Sequence, residues 1–259
     1  MNMWTTAGEN EVRKFLESAM KMSSSDVREK FKEEMERHYA TMWKDCWCRV
    51  PKDIPLEYGT AVFIYTLERP NICKRFNSCC RNASQSDSSW EYFPFKCYWW
   101  LLLEALMSLP QELEETALLY RGVHNVSKDA LLRQDEVIFG QFTSATTSMH
   151  VANKFSHRSG VILMLRDVPC SVFRRLGCYA NRNGHIEVLM MPFCVFKVVG
   201  VQGFDSGPDS DSDSDSGDGD DLFFPFAKKT VVLQYQKCLF DDRRSELESR
   251  VSHGEFSDT

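Results

Sequence analysis

Three polar side chains stand where the neighbouring residues would otherwise build the core of a strand. Arg121 lies in Leu118-Leu-Tyr-Arg-Gly-Val, Ser144 in Gly140-Gln-Phe-Thr-Ser-Ala-Thr, and Glu187 two residues into His185-Ile-Glu-Val-Leu-Met. A charge set in an apolar run is costly unless it is paired or serves a ligand. A guanidinium is a planar fork of donors suited to phosphate, and a fixed carboxylate suits positive charge developing on a sugar. His185 adds an imidazole two residues before that carboxylate, a group that can accept a proton but supplies no fixed negative charge.

Other chemistries find less support. The chain has no Gly-x-Gly-x-x-Gly after a strand and no Gly-x-x-x-x-Gly-Lys, so neither a Rossmann site nor a phosphate-cradling loop is expected. The ten cysteines include no Cys-x-x-Cys pair, and Cys46-Trp-Cys48 and Cys79-Cys80 lack a partner pair with His at ligand spacing, so no metal is expected. Buried thiols are the simpler reading, although an even number of cysteines allows bridges in an oxidising compartment. Asp211, Asp213 and Asp215 imitate the opening ligands of a calcium loop, but Ser216 stands where Gly is needed and Leu222 where Glu is needed.

The elements that must position these groups fall into two halves. From Asp26, apolar residues at Val27, Phe31, Met35, Tyr39, Met42, Trp43 and Cys46 recur at helical steps, with Ser24 or Ser25 as cap. Further helices are expected over Tyr58 to Leu67, from Pro70 onward, and over Phe95 to Leu109, ended by Pro110. Beyond Glu115 short strands follow: Ala117 to Val123, Glu136 to Thr143, Gly160 to Leu165, His185 to Met190, Val195 to Val201 and Thr230 to Tyr235. Helices followed by strands predict an α+β fold, a helical N-terminal half packed on a mixed, mostly antiparallel strand-rich C-terminal half.

A composition with 43% hydrophobic and 12% aromatic residues is that of an ordinary globular chain. A single domain over 1–240 is expected, with a flexible tail over 241–259. The stretch from Asp205 to Asp221 holds eight Asp and no Lys or Arg, so it is expected to be a disordered, solvated loop between two strands, with serines open to phosphorylation. That stretch carries a net -8 and the acidic tail a net -3, which leaves +5 on the remainder of a chain of net charge -6; this suits a small anion but is too little to argue for nucleic acid. No run reaches the roughly 20 apolar residues of a membrane span, and no leader or lipid-anchor signal is visible, so the chain as written reads as cytosolic.

Order and context make the motifs specific. Leu118-Leu-Tyr-Arg121-Gly-Val, Phe139-Gly-Gln-Phe-Thr-Ser144-Ala-Thr146 and Glu187-Val-Leu-Met-Met-Pro192 resemble the three signatures of the vertebrate arginine-specific mono-ADP-ribosyltransferases, the class with an Arg, a Ser-x-Ser and a Glu-x-Glu motif. The spacings of 23 and 43 residues fit, as do Tyr58-Gly-Thr-Ala-Val-Phe-Ile-Tyr65-Thr, Lys74-Arg-Phe-Asn-Ser, Phe93-Pro-Phe-Lys, Leu103-Glu-Ala-Leu and Leu233-Gln-Tyr-Gln-Lys-Cys238. The similarity covers roughly residues 25 to 240.

The resemblance implies an ADP-ribosyltransferase-like fold and a mono-ADP-ribosyltransferase. Such an enzyme consumes NAD(P) as substrate, holds no permanent cofactor and modifies a protein acceptor with an exposed arginine. It implies catalytic roles for Arg121, Ser144 and Glu187, and NAD contacts at Tyr65, Arg121, Gly122, Gln141 and Ser144. Arg121 would bind the phosphates, Ser144 would orient Glu187 and the nicotinamide ribose, and Gly122 would let backbone donors approach the nicotinamide amide. Glu187 would stabilise the oxocarbenium-like sugar.

Three departures stand beside these matches. His185 replaces the first Glu of Glu-x-Glu, the carboxylate that orients the target guanidinium; Thr146 replaces the second Ser; and Ala180 stands where a serine is often found. His185, as an acceptor-orienting position, therefore favours a second expectation, an NAD glycohydrolase with water as acceptor. A third is a weakly active NAD-site domain acting as an interaction module. The resemblance also implies a secreted or membrane-anchored protein, against the cytosolic reading, and a bridge from an early cysteine to Cys238; the first cysteine here is Cys46.

Overall fold

The computed structural model describes residues 8–21, 27, 29–31, 33, 53–67, 72–83, 90–111, 114–124, 126–156, 160–180, 187–202, 230–241 and 249. His185, the acidic stretch, most of the helix expected from Asp26 and nearly all of the tail lie outside them. Within that helix, Val27 and Phe31 are helical and buried.

Among the described residues, four helices with defined bounds build the N-terminal half. Helix α1 (Glu9–Ala19) has no counterpart in the sequence reading, yet it buries Val12, Phe15, Leu16 and Ala19, an i, i+3, i+4, i+7 stripe. Helix α2 (Leu56–Tyr65) is buried from Tyr58 to Tyr65, and α4 (Lys96–Ser108) from Cys97 to Leu106. A helix apolar on every side can only be interior. Between them in sequence, α3 (Ile72–Ala83) buries one stripe, Phe76, Asn77, Cys80 and Ala83. It starts at Ile72; Pro70 lies outside the described residues.

Aromatic side chains lock these helices to one another and to the sheet. The Phe15 ring meets Trp90, Trp99 and Phe193 edge-on, with centroids 4.9, 5.6 and 5.6 Å apart. Such contacts add roughly 0.5–1.5 kcal/mol each beyond the area they bury. Trp100 Nε1 donates to Ala19 O at 2.7 Å, which also satisfies a carbonyl at the end of α1.

The C-terminal half is a sheet of eight strands, in chain order β1 (Thr116–Val123), β2 (Glu136–Phe139), β3 (Thr143–Thr146), β4 (Val161–Pro169), β5 (Phe173–Arg175), β6 (Glu187–Met190), β7 (Cys194–Gln202) and β8 (Thr230–Cys238). Their spatial order is β2-β7-β8-β4-β1-β3-β6-β5. Every pairing is antiparallel except β4 with β8, so the sheet is mixed and mostly antiparallel, as the sequence predicts. Short helices α5 (Lys128–Leu132) and α6 (Met149–Ser156) lie between strands, with α6 packed against β1. Ser127 caps α5 by accepting the Ala130 N–H at 3.4 Å.

One expected strand is two. Glu136 to Thr143 reads as a single apolar run, but the chain breaks at Gly140, Gln141 and Phe142. β2 pairs with β7 at the edge of the sheet, whereas β3 pairs with β1 and β6 near its other end. Alternation cannot reveal such a break, because hydrophobic period reports burial and not the partner. β4 and β8 also run longer than expected, to Pro169 and Cys238.

The β1–β3 contact is narrow. A single Cα pair, Tyr120 with Thr146, joins them, whereas β1 and β4 are paired along their whole length. This seam separates β2-β7-β8-β4-β1 from β3-β6-β5.

Candidate active site

The polar residues singled out from the sequence gather at the seam. Arg121 arrives on β1, Ser144 on β3 and Glu187 on β6, all three partly exposed. On β1, Leu119 and Val123 are buried on the face that Arg121 shares by alternation. Gly122 points the other way, toward α6. A Cβ there would sit 1.8 Å from Ala152 O and 2.7 Å from Ser156 N, so the glycine is what lets α6 lie on β1. Packing against the helix is thus a reason for Gly122 that the sequence reading did not supply.

Arg121 Nη1 donates to the Ser144 carbonyl, joining the first motif to the second across the seam. Its Nε is buried and has no hydrogen-bond partner among the described residues. An unmet buried donor on a cation is costly, and the cost is recovered when an acceptor arrives. Burial holds the guanidinium below its ordinary pKa, while Tyr65, Cys73 and Glu187 pull it up and Arg81 pushes it down. These groups therefore lie within electrostatic reach of one another.

β3 and β6 align the remaining pair. Thr146 lies directly across from Glu187, and Ser144 across from Leu189. Opposed residues in antiparallel strands share a face, and so do residues two apart, so Glu187, Thr146 and Ser144 project together. The geometry brings the hydroxyl of each Ser-x-Thr residue to the same side as the carboxylate. The strand places Glu187 at its first residue, where it is partly exposed.

Helices α2 and α3 close the other wall. The Tyr65 hydroxyl donates to Phe142 O at 2.9 Å and accepts from Asn77 Nδ2 at 2.9 Å, so it fixes the segment between β2 and β3. Tyr65 is only 3% exposed, and burial pushes its phenol well above its ordinary pKa. Gln141 is buried too, and its Oε1 accepts from Arg81 Nη1. Asn77 Nδ2 also reaches Cys73 Sγ at 3.3 Å, while Asn77 Oδ1 is buried without a partner. Burial pushes the Cys73 thiol up, with Glu187 adding to that shift and Arg121 opposing it.

Cys73, Asn77 and Arg81 border the candidate site, and sequence reasoning missed them. They stand at i, i+4 and i+8 on α3, one line along a helix, and that spacing was available in the sequence. What hid them is that the same helix also has an apolar stripe, so its polar line reads as a solvated edge. His185 lies outside the described residues. No group of three or more His, Cys, Asp or Glu among the described residues is placed to hold a metal ion.

Comparison with known proteins gives the family. The chain is 26% identical over 197 residues to "Ecto-ADP-ribosyltransferase 5" of Rattus norvegicus, covering 68% of this chain and 62% of that protein. It is 30% identical over 166 residues to "NAD(P)(+)--arginine ADP-ribosyltransferase 2" of Gallus gallus, covering 62% of this chain and 51% of that protein. The chain thus spans about half to three fifths of the length of these relatives.

Among solved structures, the fold matches the eukaryotic mono-ADP-ribosyltransferase ART2.2, with TM-score 0.53 and 18% identity over 83% of this chain and 87% of that one. It also matches the type III effector XopAI of Xanthomonas axonopodis pv. citri, with TM-score 0.55 and 13% identity over 88% of this chain and 95% of that one. The model of the family described as "NAD:arginine ADP-ribosyltransferase" matches residues 6–209, most of the chain, and the protein belongs to that family.

Proposed function

We propose that this protein transfers one ADP-ribose unit from NAD(P) to a protein side chain, an exposed arginine of the acceptor, and releases nicotinamide. The observation that carries the reading is the convergence of Arg121, Ser144 and Glu187 on the β1–β3–β6 seam, with a buried Arg121 Nε that lacks a partner. That donor fits a phosphate oxygen of a dinucleotide better than any apolar ligand.

In this mechanism the bond between C1′ of the ribose and the nicotinamide nitrogen breaks, and its electron pair stays with the ring. Nicotinamide was cationic in the substrate, so it leaves neutral and needs no general acid. The sugar becomes oxocarbenium-like, and Glu187 stabilises it while Ser144 and Thr146, on the same side of the strands, orient the carboxylate and the ribose. A guanidine nitrogen of the acceptor then bonds to C1′ and loses a proton. Arg121 and Arg81 hold the negative diphosphate portion. Gln141 lines the same wall, and Tyr65 acts through its hold on Phe142.

One sequence observation favours a second reading. His185 puts an imidazole where the first carboxylate of the motif is expected, so the guanidinium of an arginine acceptor loses an attractive partner. Water would then compete as acceptor, making the protein an NAD glycohydrolase. The two separate when the protein is given NAD with and without a simple guanidine compound, and free nicotinamide and labelled acceptor are followed independently. Equal release and labelling is expected of a transferase. Nicotinamide release without labelling would overturn the transferase reading. In the same assay, His185→Glu should raise labelling relative to release by restoring the carboxylate.

A further inference from the structure

Cys194 and Cys238 face each other in the antiparallel β7–β8 pair. Directly opposed residues in such a pair stand about 4.5–5.5 Å apart at Cα, inside the roughly 4.4–6.8 Å that a disulfide spans. Both sulfurs also reach the same turn. Cys194 Sγ donates to Met191 O at 3.4 Å and Cys238 Sγ to Pro192 O at 3.6 Å, neighbouring carbonyls of the single turn that joins β6 to β7.

The next residues close the pair off. Val195 is opposite Lys237 and Phe196 opposite Tyr235, so Gln236 is an extra residue in β8 and the strand bulges there. The bulge returns Tyr235 to the face of Cys238, where its ring meets Phe196 with centroids 5.7 Å apart. Burial, then Cys194, then Cys238 push the Tyr235 phenol above its ordinary pKa, so both thiols lie within its electrostatic reach. No other two cysteines are paired by strand register among the described residues.

We propose that Cys194 and Cys238 are a cross-strand redox pair, joined as a disulfide when the chain folds in the presence of a disulfide oxidant such as oxidised glutathione. One thiolate attacks a sulfur of glutathione disulfide and releases a first glutathione; the second cysteine displaces the other. Two S–H bonds are lost, one S–S bond forms, and the oxidant leaves as two reduced glutathione molecules. Both cysteines are buried in the native protein, so the exchange takes place while β7 and β8 are pairing. The weak S–H bonds to Met191 and Pro192 are given up in return for the covalent link.

The link closes the loop from 195 to 237, which contains the Asp-rich stretch, and fastens the turn after the Glu187 strand to the last strand of the sheet. It acts chiefly by constraining the unfolded chain.

The test refolds the whole chain in oxidised and in reduced glutathione, blocks remaining thiols by alkylation, and maps the peptides by mass spectrometry. The expected result is one cross-linked peptide joining Cys194 to Cys238 in the oxidised sample only, with a higher melting temperature that a reductant abolishes. Cys194→Ser should remove the link and the redox-dependent shift, whereas Cys170→Ser should keep both. The peptide map of the unmutated chain decides even where a variant folds poorly. Full alkylation of both cysteines after oxidation, or a bond from Cys238 to any other cysteine, would overturn the proposal.

Discussion

Arg121 and Ser144, 23 residues apart in sequence, are tied by a hydrogen bond from the guanidinium to the Ser144 carbonyl. The bond crosses the one place where the sheet is held by a single Cα pair, Tyr120 with Thr146. The reaction proposed above would give Arg121 two tasks. One nitrogen joins β1 to β3, and the buried Nε, without a partner among the described residues, would meet a substrate.

Arg121→Lys tests the pair of tasks. Lysine keeps the charge but has one donor position where the fork has several, so it cannot serve the carbonyl and a phosphate at once. Loss of one charge-assisted bond is worth about 2 kcal/mol, and roughly thirtyfold in kcat/KM for nicotinamide release follows. Steady-state kinetics with NAD measures it, and an unchanged kcat/KM would remove Arg121 from the site.

Glu187→Gln keeps the size of the side chain and its place opposite Thr146, but removes the charge. Nicotinamide release should fall by roughly 10²–10³ in kcat, the loss typical of removing one preorganised electrostatic partner. Because Glu187 is partly exposed at a strand end, the melting temperature should change little. A rate equal to that of the unmutated protein would place the catalytic carboxylate elsewhere.

Gly122→Ala should act on stability first. The added methyl falls 1.8 Å from Ala152 O, a backbone atom that cannot rotate away, so α6 must shift off β1. Overpacking of this kind costs about 1–3 kcal/mol. Chemical denaturation should show a lower midpoint. Nicotinamide release at a temperature where the variant stays folded should drop too, since β1 carries Arg121. A midpoint equal to that of the unmutated protein would contradict the packing.

Stability should decline in alkali. Burial raises the Cys73 and Cys80 thiols from an ordinary 9.0, and Tyr65 from an ordinary 10.0. Below about pH 8 these groups are protonated in both folded and unfolded chains, so they contribute no slope. Above pH 9 the unfolded chain releases protons that the native chain keeps, and each such group costs up to about 1.4 kcal/mol per pH unit until its native pKa is reached. Urea midpoints from pH 7 to pH 10 should be flat and then fall. Cys80→Ala should reduce the fall, and a midpoint that rises with pH would contradict the burial of these groups.

Much of the architecture follows from local sequence. A helix such as α4, apolar from Cys97 to Leu106, has no stable place except the interior, and α2 is governed by the same rule. Strand positions followed from β-rich runs between Gly, Asn, Asp and Pro, and the mixed, mostly antiparallel sheet followed from helices preceding strands. The three motifs were legible because each places a polar group where an apolar one would pack.

Other features belong to tertiary contact. Nothing in Glu136 to Thr143 says that its halves pair with different strands, because partner choice depends on residues far away in sequence. The line Cys73, Asn77 and Arg81 becomes a wall of the site only when α3 lies beside Tyr65 and Gln141. Gly122 reads as a place for backbone to approach a ligand until α6 occupies the space of its missing side chain. Cys194 and Cys238 are two among ten cysteines until strand register sets them face to face. The sequence by itself determined which groups are candidates for the chemistry and which runs are buried, since both depend on residue type and local period. Only the tertiary structure decided which of those groups meet, because meeting depends on strand order, register and close approach of backbones, none of which a local period encodes.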